Sequence, residues 1–388
     1  IARKLKKDPA EIRYLNFYKE KTNNITPYKQ KVENNRLEML WEQILESSDY
    51  KNRRKDILLF NQNNEFYKKG IALTPVKFGI SFTSSFLNQA GALVNIYKDG
   101  TVLINHGGTE MGQGLNTKII QIAAIELGVP ISKIKVNATN TSKVPNSSAT
   151  AASAGTDLNG AAVKNACKKL KKRLTKLVVE LCEKQYDDHK TKASNIVFEN
   201  GFVFDKNNDI REFEFSKLCT VANFHQVSLS ATGFYKTPDI YFDREKGEGK
   251  PYHYFAYGMS VSEVTVDVLT GYVRIDRADL IQDVGKPILE NIDRGQIEGA
   301  YIQGVGWCTT EECKWTDKGV LLNHSPDTYK IPNIQDIPKI FNVDLLKNAP
   351  NPKTIRKSKA VGEPPFMLCF SVWLAIKEAI ADAESGKD

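Results

Sequence analysis

A chain of 388 residues, 41% hydrophobic and 26% charged, has apolar mass for two or three packed units and a composition unlike disordered, collagen-like or disulfide-scaffold proteins. The 54 basic and 46 acidic residues leave a net +8, which points to nucleic acid or an anionic surface only if concentrated in one place. Cys167, Cys182, Cys219, Cys308, Cys313 and Cys369 form no CxxC and have no histidine at zinc spacing, and no secretory leader or long apolar run is seen, so reduced thiols are expected and no membrane partner.

The first residue is Ile1, and "IARKLKKDPAEI" reads as the tail of something, followed by a helix start at Asp8-Pro9 with Glu11 at capping-box distance. The chain is therefore expected to be a piece of a longer one. Leu37, Leu40, Trp41, Ile44 and Leu45 form one helical stripe, and Ile57, Leu58 and Phe60 belong to another, giving a helical lead-in over 1–70 without visible chemistry. From there β-branched runs are broken by glycine. "NIYKDGTVLIN" predicts a hairpin turning at Asp99-Gly100, and after Gly107-Gly108 and "MGQG" comes a helix whose apolar face includes Ile119, Ile122, Ala123 and Leu127, ending at Gly128 before Pro130.

The stretch "NSSATAASAGTDLNG", Asn146 to Gly160, is small and hydroxylated and leads to a helix start at Asp157. Lys164 to Lys176 holds seven basic residues, yet Val163, Cys167, Leu170, Leu174, Leu177 and Leu181 run through it at helical spacing. That is an amphipathic helix with a solvated basic face, and no aromatic stacking set accompanies it, so nucleic acid is not an expected partner. Further on, Asn200-Gly201 marks a hairpin, "YFDREKGEGKPYHYF" a loop-like boundary, and Thr270-Gly271 the turn of a second long hairpin. Next, "RGQIEGAYIQGVGW" brings Gly-Gln into a helix start, and Phe366 to Ala383 forms the last helix. Strand hairpin, glycine-rich turn and helix thus occur twice. The expected fold is α+β, with two similar lobes of hairpin-containing sheets and packed helices over 71–240 and 241–388.

A glycine-rich turn feeding a helix presents backbone N–H groups to anions, and both repeats offer one. The first lacks GK[ST] and does not match GxGxxG, so it is no nucleotide fingerprint. Gln113, between Gly112 and Gly114, carries an amide able to donate and accept at once, and is either a ligand contact or a turn residue. In "KAVGEPPF", Glu363 stands between Gly362 and two prolines. The prolines predict extended backbone and a fixed carboxylate there, either a positioned base or an acidic residue ahead of a helix.

Five motifs in order, "KFGISFTSSFLNQAGALV", "HGGTEMGQGLNTK", "VSLSATGFYKTPD", "TYKIPNIQDIP" and "SKAVGEPPF", resemble the C-terminal part of the molybdenum-cofactor-binding region of the molybdenum hydroxylase family. Within it, "TEMGQG", "FGISFT" and "AVGEPP" are more similar to the xanthine dehydrogenases than to the aldehyde oxidases. The resemblance implies an oxidoreductase that converts hypoxanthine and xanthine to urate with water as the oxygen source. Glu363 matches its general base. Met111, Gly112 and Gln113 match the loop beside the molybdenum centre, and Phe82 and Thr83 the purine site. Thr150, Ala152 and Ser153 match the loop along the molybdopterin, Gln296 a second cofactor amide, and Gly362 the glycine beside the base. Gly155-Thr156 stands where the family pattern continues with serine, which puts one phosphate contact in doubt.

The resemblance implies that no side chain need touch the metal, the pterin's own sulfurs being expected to hold it. The resemblance also places 2Fe-2S clusters, FAD and the NAD reaction in a missing N-terminal part of the parent, because cluster-binding cysteines and the "GGFGGKE" and "FRGFG" motifs are absent from this chain. It implies a homodimeric enzyme of purine catabolism in the cytoplasm, or alternatively the peroxisome. An aldehyde oxidase-like parent, or a non-catalytic remnant acting as a binding or structural module, are the other readings.

Overall fold

The computed structural model describes residues 1–144, 147–186 and 190–383, and Asn146 of the small-residue stretch lies outside them. The helices are α1 (Ala2–Leu5), α2 (Pro9–Leu15), α3 (Leu37–Ser47), α4 (Tyr50–Gln62), α5 (Leu115–Leu127), α6 (Gly155–Tyr186), α7 (Phe215–Phe224), α8 (Glu290–Cys308) and α9 (Phe370–Ala383). The strands are β1 (Tyr67–Ile80), β2 (Gln89–Ile96), β3 (Val102–His106), β4 (Ile134–Val136), β5 (Ile196–Glu199), β6 (Phe202–Asp205), β7 (Asn208–Glu214), β8 (Ser230–Lys236), β9 (Tyr241–Asp243), β10 (Glu248–Lys250), β11 (Tyr254–Asp267), β12 (Val273–Gln282) and β13 (Ile340–Leu345). They divide into two compact units, one of residues 1–80, 243–351 and 359–388, the other of 81–242 and 352–358.

The second unit covers 81–242, where 71–240 was expected, and residues 1–80 join the first unit. In the first, β1 pairs with β11 from Tyr67↔Asp267 to Ile80↔Tyr254, so a strand from the start of the chain is completed by one far downstream. The lead-in is not separate either: Leu37, Leu40 and Ile44 of α3 and Ile57 of α4 share a core with Tyr257, Met259 and Val261 of β11. The alternate residues of β11, among them Val264 and Val266, face a second core with Ile297 and Tyr301 of α8 and Val372 and Ala375 of α9. Helices therefore cover both faces of the sheet, which is why β11 is buried along almost its whole length rather than alternating.

Both units repeat one plan. In the first, the β11–β12 hairpin is followed by α8 and then β13, parallel to β12, while β1 lies antiparallel on the other side of β11. In the second, the β2–β3 hairpin is followed by α5 and β4, parallel to β3, and β8 lies antiparallel on the other side of β2. Each outer antiparallel strand is crossed by a helix at a glycine. A Cβ on Gly70 of β1 would stand 1.9 Å from the Ala375 carbonyl oxygen of α9, and one on Gly233 of β8 1.9 Å from the Ala162 carbonyl oxygen of α6. Helical partners with alanine at i and i+4, Ala375 with Ala379 and Ala162 with Ala166, permit that approach. Because the obstacle is backbone, Gly233→Val is expected to destabilise the chain by about 3 kcal/mol, the upper end for overpacking, read by denaturant unfolding.

The basic helix also has a structural use. Asn165, Lys169 and Arg173, one turn apart along α6, donate to the carbonyls of Phe234, Thr232 and Ser230, at alternate positions of β8, with distances of 2.8, 2.8 and 2.7 Å. They occupy hydrogen-bonding groups that an edge strand would otherwise present to another chain. Two further elements differ from expectation. The stretch "YFDREKGEGKPYHYF" contains the two-stranded ribbon of β9 and β10. And α8 begins at Glu290, so Gly295-Gln296 lies inside the helix and is not a turn feeding one. Among the described residues no helix is long and apolar enough to cross a membrane.

Candidate active site

In the second unit, the loop between β3 and α5 is built by its own side chains. Gly112 (φ 95°) and Gly114 (φ 75°) take left-handed backbone that other residues rarely adopt. Glu110 lies under the start of α5: its Oε1 accepts from the N–H groups of Gly112 and Gly114, both at 3.0 Å, and its Oε2 from that of Asn116 at 2.9 Å. The N–H groups expected to attract an outside anion are therefore held by a carboxylate of the loop itself, favourably placed at the positive end of the helix dipole. Gln113, 8% exposed, accepts from Met111 N–H at 2.5 Å and donates to Thr109 O at 2.9 Å. The amide thus spans its own turn, leaving one donor hydrogen and one lone pair for further bonding.

Beneath the loop, Gly108 N–H donates to His106 Nδ1 at 3.1 Å, so Nδ1 is the bare nitrogen and Nε2 donates to Asn116 Oδ1 at 2.9 Å. Burial, the largest influence, pushes the His106 pKa below 6.5 despite the Asn116 bond and the Glu110 charge. Between the lowered folded value and 6.5 the unfolded chain binds the extra proton, so stability rises with pH through that window and is lost on acidification. Thermal melts above and below it are expected to show this acid loss, and His106→Asn to flatten it.

Two more loops are tied to this one. Thr109 N–H donates to Thr150 Oγ1 at 2.9 Å, and Ser148 Oγ donates to Gln89 O at 3.1 Å. Ala154 N–H and Gly155 N–H return to Ala151 O, closing a turn around half-buried Ala152 and buried Ser153 just before α6. Phe82 and Thr83 lie in the loop after β1. Asn88, 2% exposed, grips the Phe82 backbone from both sides, accepting from its N–H at 2.8 Å and donating to its carbonyl at 2.9 Å. Ser81 at φ 143° occupies backbone space unusual for a residue with a Cβ, as is common where a loop is held for use. The structure thus ties Met111, Gly112, Gln113 and Thr150 together through Thr109, and ties the foot of the Phe82 loop to the Thr150 loop.

In the first unit Glu363 is half-buried, with φ −117° and ψ −39°. The extended backbone expected before proline is not adopted, because Glu363 caps the 3-10 turn Pro364–Cys369 and its carbonyl accepts from Phe366 N–H at 3.0 Å. The turn is fixed on every side the sequence can reach. Pro364 and Pro365 are buried, Trp307 of α8 packs edge-on against Phe366 at 4.8 Å, and Leu368 O accepts from Ser260 Oγ at 2.7 Å and Ser371 Oγ at 2.8 Å. Upstream, Lys359 pairs with Asp283, Lys359 N–H donates to Val284 O at 2.7 Å and Ala360 N–H to the Tyr254 hydroxyl at 2.8 Å. Gln296 is half-buried on α8, about 12 Å along the helix from Gly304, the residue against which the turn packs.

Sequence reasoning missed Glu110, His106, Asn88 and the Lys359–Asp283 pair. A carboxylate four residues ahead of a helix-opening glycine was a usable signal for Glu110. The others depend on partners distant in sequence or on a loop's fold.

The sequence matches the molybdopterin cofactor-binding domain family over residues 43–338. Relatives include a xanthine dehydrogenase/oxidase of Gallus gallus, 46% identical over 383 residues, and a xanthine dehydrogenase of Dictyostelium discoideum, 45% identical over 386, each alignment taking in 99% of this chain and 26% of the relative. The chain thus spans about a quarter of the length of these relatives. Among solved structures, quinoline 2-oxidoreductase from Pseudomonas putida 86 superposes with a TM-score of 0.80 at 23% identity, over 99% of this chain and 48% of that one. CO dehydrogenase from Oligotropha carboxidovorans gives 0.82 at 20%, over 99% and 47%. At such identities these two show a shared fold. The family match, extending over most of the chain and both compact units, makes this protein a member of the molybdopterin cofactor-binding domain family.

Proposed function

We propose that the chain is part of a xanthine dehydrogenase-like molybdenum hydroxylase that oxidises hypoxanthine and xanthine to urate. Further sequence upstream would carry the 2Fe-2S, FAD and NAD functions. The observation that carries the reading is the way Glu363 is held: a half-buried carboxylate at the start of a 3-10 turn, with two buried prolines after it and a buried ion pair four residues before it. A solvated surface glutamate needs no such support, whereas a general base must be kept within reach of one proton.

The donor set fits a hydrogen-bonding cofactor lying against backbone. A Cβ on Gly112 would meet nothing within 4 Å, so that face of the loop is open. Asn159 Oδ1 is buried without a partner among the described residues, next to Gly108 in the same loop. Gln113, the Thr150 hydroxyl and the backbone of Met111, Gly112, Ala152 and Ser153 are the residues of the second unit that would hold the group, while Gln296 and Gly362 match cofactor positions of the family pattern. When bound, the molybdenum–pterin group supplies the two-electron oxidation and the activation of water that no side chain here provides. Glu363 takes the proton that water must lose before its oxygen adds to the purine carbon. The Phe82 ring packs against the purine and Thr83 lines the same site. In isotopically labelled water, the longer enzyme is expected to place the label in urate formed from xanthine; unlabelled urate, or oxidation of aldehydes with xanthine untouched, would refute the reading.

A further inference from the structure

Two of the six cysteines meet in the first unit although 61 positions separate them in sequence. Cys308 is the last residue of α8 and half-buried; Cys369 is the last residue of the turn that Glu363 opens and is fully buried. Their sulfur atoms are 3.7 Å apart. The backbones are also close, since a Cβ on Gly304, one helical turn before Cys308, would stand 2.7 Å from Cys369 Cβ. The remaining thiols differ in setting: Cys167, Cys182 and Cys219 are buried in the core of the second unit, and Cys313 is exposed.

We propose that Cys308 is a site of oxidation by hydroperoxides, and that Cys369 resolves it into an intramolecular Cys308–Cys369 disulfide. The reachable sulfur of Cys308 attacks the peroxide: an S–O bond forms, the O–O bond breaks and the departing oxygen takes a proton and leaves as water. Cys308, now a sulfenic acid, has lost two electrons to the peroxide. The Cys369 sulfur then attacks that sulfur, the S–S bond forms, the S–O bond breaks, and the Cys369 proton leaves with the hydroxide as a second water. Two thiols and one hydrogen peroxide give one disulfide and two waters. The hydrogen bond between the thiols draws the Cys308 value down, which favours its thiolate as the first nucleophile, and raises that of Cys369, already pushed up by burial. Closing 3.7 Å to the roughly 2 Å of a disulfide asks for side-chain rotation at the C-terminal end of α8. The bridge ties that end of α8 to the turn beginning at Glu363, and its formation does not depend on cofactor.

The test is peroxide treatment of the reduced 388-residue chain, followed by alkylation and non-reducing peptide mapping. The expected product is a cross-linked peptide pair containing Cys308 and Cys369, lighter by two hydrogens and reversed by dithiothreitol. In Cys369→Ala the cross-link is expected to vanish and Cys308 to become labelled by dimedone. Should that variant not fold, Cys308→Ser is expected to leave Cys369 a free thiol. A wild-type chain in which Cys308 stays reduced, stops at sulfenic or sulfinic acid, or pairs with Cys313 would overturn the proposal.

Discussion

Glu363→Gln, made in the longer enzyme, is expected to lower xanthine turnover by roughly 10² to 10⁴ while molybdenum content stays near normal. The substitution preserves size, and it leaves in place Pro364, Pro365 and the bonds of Ser260 and Ser371 to Leu368 O that hold the turn. What it removes is the ability to accept a proton. The expected signature is therefore a loss in kcat with metal retained; a metal-replete Glu363→Gln enzyme that still turns over xanthine would remove Glu363 from the mechanism.

Lys359→Met is expected to cost the folded chain about 3–5 kcal/mol, read by denaturant unfolding. Lys359 and Asp283 side chains are 4% and 0% exposed, and the ammonium also donates to Phe255 O at 3.1 Å. Burial pulls the Lys359 value down and Asp283 pushes it back up, the balance of a charge kept in the interior by its partner. Without the lysine, Asp283 is left as a buried, uncompensated carboxylate. In Lys359→Met/Asp283→Asn the charge is gone while a side-chain oxygen can still accept from Gly285 N–H, as Asp283 Oδ1 does at 3.1 Å, and most of the loss should be recovered. A double variant whose loss equals the sum of the losses of Lys359→Met and Asp283→Asn made singly would show the pair to be uncoupled.

Local signals in the sequence were read well where a turn or period determined them. Asp99-Gly100, Asn200-Gly201 and Thr270-Gly271 all join paired strands, and the apolar stripe of α5 ends at Gly128 with φ 67°. The repeated plan was visible as hairpin then helix, but not the strand that completes each sheet, because β1 and β8 find their partners through long-range pairing. Glycines at 70 and 233 carry no local mark of the helices that cross them. The candidate site shows the same divide. The sequence marked the loop of Gln113 and the turn of Glu363, while the chemistry that shapes them lies in Glu110, His106, Asn88 and Asp283, whose roles come from folded contacts. Proline's preference for a preceding extended residue was overridden at Glu363 by the hydrogen bond that opens the 3-10 turn.

On the proposed function, loops of the second unit hold the cofactor and Glu363 moves the proton. The measurement that tests it most directly is the molybdenum content of Gln113→Ala in the longer enzyme, set beside wild type and Glu363→Gln. Removing Gln113 leaves Met111 N–H and Thr109 O without the amide that spans them, and on the proposed reading would take one cofactor contact with it. The predicted result is a clear fall in metal content, and in rate with it, for Gln113→Ala alone, with Glu363→Gln loaded but slow. Full metal content and unchanged turnover in Gln113→Ala would make Gln113 a turn residue only and contradict the account.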